Sequence, residues 1–82
     1  MFRIALFEQP LRQEGRRAGY LREGVGDRKE AVPLIEQHIS NYQNKGYDGE
    51  QDRWWCRNGS DNANTILIIE PMPRVQEEER RE

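Results

Sequence analysis

Apolar side chains gather in short runs along this chain, and the densest, Thr65-Ile66-Leu67-Ile68-Ile69, is β-branched everywhere except at Leu67. Branching at Cβ suits a pleated strand better than a helix, so the run predicts a central strand. Successive strand side chains point to opposite faces. Ile66 and Ile68 therefore need cover on one side and Leu67 and Ile69 on the other, which one layer of helix cannot supply.

Upstream, residues 2–8 alternate loosely, with Phe2, Ile4 and Leu6 against Arg3, Ala5 and Phe7, and read as a first strand ended by Pro10. Residues 10–17 read as a turn or mobile loop. Ala18 to Glu23 can pair back as a second strand through Tyr20 and Leu21, although the glycines at 15, 19, 24 and 26 weaken the pattern. Asp27 and Glu30 fit the reciprocal capping arrangement that satisfies the first backbone N–H groups of a helix, so a helix is expected from about Arg28. Ala31, Leu34, Ile35, His38, Ile39 and Tyr42 fall on one stripe at three- and four-residue spacing. Pro33 interrupts that helix or moves its regular part to Ala31. Gly46 is the expected left-handed terminator, letting Tyr47 fold back on Tyr42.

Asp48 to Glu50 are turn-formers, and Gln51 to Arg57 read as a further strand with Trp54 and Cys56 on one face and Arg53, Trp55 and Arg57 on the other. A long loop over 58–63 sets the tryptophans against the isoleucine strand, whereas a two-residue turn at Asn58-Gly59 would oppose them to Asn62 and Asp61. Pro71-Met72-Pro73 ends the last strand, and the charged stretch 74–82 has too little apolar content to order. The expected architecture is α+β: a small antiparallel sheet of three to four strands with one helix packed on one face, in the order β-(β)-α-β-β. Residues 1–73 are expected to form a single domain and 74–82 a disordered tail.

Composition narrows the function more by exclusion than by assignment. Apolar and charged residues each make up 34% of 82 residues, and the net charge of −2 is too close to balance to call for a nucleic-acid or membrane partner through bulk electrostatics. A chain this short buries only about two thirds of its unfolded surface, so its core is thin. The single cysteine, Cys56, rules out an intrachain disulfide. With no secretion signal or apolar stretch of membrane length, the expected location is the cytoplasm.

No motif assembles a catalytic or metal centre. His38 lies beside the apolar helix stripe without a Cys/His set or a Ser partner, and Cys56 reads as a small buried hydrophobe. Asp48, Glu50 and Asp52 alternate but lack the glycine and closing glutamate of a calcium loop. Gly24-Val25-Gly26 lacks the third glycine of a dinucleotide fingerprint. Asn58-Gly59-Ser60 marks only an exposed loop, and Ser60-Asp61-Asn62 stands without the Ser-x-x-Lys that accompanies it in penicillin-recognising enzymes. No cofactor is expected, and an enzyme is disfavoured.

Two function classes remain. The first is a non-enzymatic interaction module that forms a homodimer or binds a protein partner through the uncovered sheet face, with Phe7, Trp55, Leu67 and Ile69 as the expected patch. The alternative cover for that face is intramolecular, from Leu11, Tyr20, Leu21 and Val25. The rival function is binding of RNA or single-stranded nucleic acid by Arg16, Arg17 and Arg22 with Trp55 as a stacking platform.

Overall fold

Branched and aromatic side chains at the centre of the chain pair into one antiparallel sheet, seen in a computed structural model that describes residues 1–10 and 12–73. Leu11 and the stretch 74–82 lie outside the described residues, and with them the expected tail. The elements are β1 (Phe2–Pro10), β2 (Arg16–Val25), α1 (Arg28–Ile39), β3 (Asn44–Asp48), β4 (Arg53–Arg57) and β5 (Ala63–Pro71). The strands run β2-β1-β5-β4-β3 across the sheet, so the isoleucine run lies in the middle strand.

The expectation of three to four strands in the order β-(β)-α-β-β is therefore incorrect: the sheet has five, and the order is β-β-α-β-β-β. The strand that was missed is β3, which has no β-branched residue and only Tyr47 as a strong strand former. It exists because β4 supplies pairing partners, Tyr47 opposite Trp54 and Gly46 opposite Trp55. Gly46 consequently does not end the helix. That end is Ser40, in right-handed helical conformation, with Tyr42 N–H bonded to the Ile39 carbonyl at 3.0 Å. Tyr47 packs against Trp54, ring centroids 4.7 Å apart and planes tilted by 46°, instead of returning to Tyr42.

Along the other edge, β2 needs ten residues to accompany seven of β1, because its register shifts three times, passing over Ala18, Leu21 and Gly24. Gly19 and Gly24 take positive φ values of 148° and 76° that a side chain would resist. Each bulge puts two residues opposite one and increases the twist, which breaks the two-residue alternation that announces a strand.

The helix starts where the caps place it. Asp27 accepts from Glu30 N–H at 3.0 Å, and Glu30 reaches back to Gly26 N–H at 3.0 Å. It runs through Pro33, which is exposed, and buries Ala31, Ile35 and Ile39. Those three meet Ile4, Val25, Trp54, Cys56 and Leu67, with Leu6, Leu21 and Ile69 packed at the margin. Hence Leu21 and Val25 fold toward the helix and do not shelter the opposite face.

Directly paired residues in antiparallel strands share a face. Leu6, Leu67, Trp54 and Tyr47 form one row beneath the helix, while Arg17, Phe7, Ile66, Trp55 and Gly46 form the next row on the open side. Glycine at 46 is required by close approach: a Cβ there would lie 2.7 Å from Trp55 Nε1. Gly46→Ala should displace the indole, lowering stability by about 1–3 kcal/mol. Urea unfolding checks the loss, and a shifted tryptophan emission in the folded state checks its cause.

Candidate functional site

The open face is built from alternate residues of five strands. Beside the row through Ile66 lies a second, Tyr20, Ala5, Ile68, Arg53 and Asp48, followed by Arg3 opposite Glu70. Of the four residues expected to form the apolar patch, the structure brings Phe7 and Trp55 together on this face, flanking Ile66. Leu67 and Ile69 are not there: Leu67 is fully buried beneath the helix and Ile69 packs against the same core. Their places are taken by Ile66 and Ile68. The parity of β5 held the signal, because Asn64 and Glu70 alternate with Ile66 and Ile68 and mark that side as the wetter one.

The two halves of this face differ in cover. Toward β2, Arg17 lies over the Phe7 ring at 4.8 Å and Arg3 over the Tyr20 ring at 4.4 Å, so guanidinium groups roof the aromatics. Both arginines bond Glu70, at 2.6 Å from Arg3 and 3.1 Å from Arg17. Toward β3, no such roof exists among the described residues. Gln9, Arg53, Trp55, Arg57, Asn64 and Ile66 instead border an open groove of 580 Å³. Arg53 pairs across strands with Asp48 at 3.6 Å. Arg57 has no ion-pair partner among the described residues, and its Nε is buried without an acceptor. Leaving a buried donor unsatisfied costs about 1–3 kcal/mol, more for a charged group.

The arginines proposed for nucleic-acid binding are divided. Arg17 shares the open face with Trp55, but Arg22 pairs with Ile4 on the helix side and Arg16 pairs there with Glu8, which it also bonds at 2.9 Å. Arg3, Arg53 and Arg57, which were not assigned a role from sequence, occupy the open face instead.

Two further clusters are structural. Arg28 grips Asp52 through two bonds of 2.7 Å, and the Tyr47 hydroxyl donates to the same carboxylate at 2.7 Å. Asp52 takes a positive φ of 54°, and the clamp ties the start of α1 to the β3–β4 turn. His38 stands beside Tyr42, ring centroids 6.0 Å apart, and borders a small groove with Leu21 and Leu34. No group of three or more potential metal ligands occurs among the described residues, and no helix there is long and apolar enough to cross a membrane.

Burial pushes the Cys56 thiol up to about 11. The thiolate is the reactive form, so a disulfide reagent at about pH 8 should modify the folded protein only at the rate of opening, and rapidly in urea. Absorbance of the released thiol measures both rates.

Acid sensitivity follows from two carboxylates. The Arg28 bond, followed by the Tyr47 bond, lowers the Asp52 pKa; at Glu70, burial raises it, but hydrogen bonds from Arg3 and Arg17 outweigh that and the net shift is downward. A pKa depressed on folding contributes stability that is complete above the unfolded value and disappears as pH falls through the folded one. The urea midpoint should therefore hold from about pH 7 to 5 and fall below about pH 4. Asp52→Asn, which tolerates the same left-handed backbone, should fall less steeply over that range.

No protein family, curated protein or solved structure matches this chain.

Proposed function

We propose that this is a non-enzymatic interaction module whose open sheet face is covered by another protein surface, with a second copy of the chain as the first candidate. The observation that carries the reading is the half-covered strip of Phe7, Ile66, Ile68 and Trp55. It is roofed by arginines toward β2 and open to a groove toward β3. An apolar centre with aromatic and arginine side chains around it is the composition of protein interfaces.

Sheet edges offer a poorer route to association. A thrice-bulged β2 and a five-residue β3 leave no long flat edge for strand addition. The face also carries both signs of charge, so an identical surface can supply complementary partners. Burying the rest of Trp55 with its aliphatic neighbours contributes several kcal/mol, at about 1.5–3 for each large side chain taken from full exposure.

Single-stranded nucleic acid is the second reading, favoured by Arg17 over Phe7 and by Trp55 on the same face. It is weakened by the net charge of −2 and by the internal pairing of Arg3, Arg17 and Arg53.

Sedimentation equilibrium at tens of micromolar should show a dimer, and Trp55→Ser should yield a folded monomer. A wild-type monomer would remove the second copy as occupant. Steeply salt-dependent quenching of tryptophan fluorescence by mixed oligonucleotides would replace the protein partner with nucleic acid.

A further inference from the structure

Arg57 stands apart from the other arginines of the open face. Arg3 and Arg17 share Glu70, Arg53 faces Asp48, and Arg57 alone borders the groove without an ion-pair partner among the described residues. Its Nε is buried and lacks an acceptor among the described residues. We infer that the groove along β4 is a carboxylate-binding subsite in which Arg57 receives an acidic side chain of the docked protein. The inference rests on the open face being a protein interface.

A guanidinium offers donors in a planar fork that matches a carboxylate, and Arg57 borders the groove from which such an acceptor would arrive. Gln9 and Asn64 place amide groups along the same groove, Trp55 and Ile66 give it an apolar wall, and the carboxylate that also lines it, Asp48, is paired with Arg53. The ligand that fits is one negative charge carried on an apolar surface: a Glu or Asp with aliphatic neighbours. A nucleic-acid strand makes a different demand, because its repeating phosphates are held by a succession of unpaired cations. This face has one.

The experiment follows the sedimentation state. If the wild type is a dimer, Arg57→Gln should weaken self-association on the order of tenfold or more, because it leaves the partner's carboxylate buried without a cation. Arg22→Gln, on the helix side, should change nothing, and matched thermal melts establish that both variants fold. An unchanged dimer in Arg57→Gln overturns the subsite while leaving the interface standing.

If the wild type is a monomer, sodium acetate serves as the probe, and the Arg57 Nε–Hε resonance is followed by ¹⁵N NMR. A saturable shift of Arg57, with the resonances of Arg3, Arg17 and Arg53 unmoved, supports the subsite even though the second copy has failed as its source. No selective shift overturns it. In either state, a short oligothymidylate that moves Arg57 together with Arg17 more strongly than acetate does would reassign the groove to nucleic acid.

Discussion

The middle strand of this sheet is greasy on both sides, and the described residues form one helix. Leu67 and Ile66 are neighbours in sequence, face opposite ways, and are 0% and 5% exposed. Leu67 gains its burial from Ile35 and the rest of α1, as a strand packed under a helix does. Ile66 gains it within the plane of the sheet, from Phe7 on one side and Trp55 on the other. Large cross-strand aromatics thus do for the second face what a second layer does elsewhere, and the exposed surface is transferred outward to their own rings. Arg17 covers the Phe7 ring. Trp55 lies over Gly46 and keeps its outer side beside the groove.

That arrangement dictates the form of both edges. A tryptophan lying across the next strand requires a residue without a side chain, so β3 must carry glycine at the position opposite Trp55, despite the weak strand propensity glycine brings. At the other margin, β2 must deliver Leu21 and Val25 to the helix side while Arg17 and Tyr20 remain on the open side. Three bulges accomplish this within ten residues. The same devices remove the regular ladder of free N–H and C=O groups that an incoming strand would use. Association, where it occurs, is thereby directed from the edges to the face.

Features specified by adjacent residues were legible in the sequence. The branched run of β5 and the Asp27–Glu30 cap of α1 carry their own local chemistry, and both formed where expected. Features specified by distant partners were not. Asn44–Asp48 contains nothing that announces a strand, because its pairing is dictated by Trp54 and Trp55 and its glycine resembles a helix terminator. The bulges of β2 erased the alternation that would have identified a full strand. The face assignment of β5 failed for a further reason. Periodicity divides a strand into two sets without saying which set the helix covers, so Leu67 and Ile69 were exchanged for Ile66 and Ile68. The polar members of the second set, Asn64 and Glu70, settle the question once they are weighed with it.

The charges of the open face bear on what can cover it. Desolvating a lone ion is expensive, whereas a charge already held by a partner enters an interface with its hydrogen bonds made. Glu70 holds two arginines on this face and Asp48 a third, so most of its cationic character is internally neutralised before any contact is formed. A phosphate backbone would have to compete with those carboxylates for each arginine, losing one bond for each it gained. An apolar protein surface has no such competition: it leaves the existing pairs intact, excludes water from Trp55 and Ile68, and strengthens the pairs by lowering the local dielectric. Arg57 is the exception that this logic isolates. An apolar cover alone would strand its guanidinium more completely, so a protein surface of the kind proposed for this face would have to bring an acceptor to that one place.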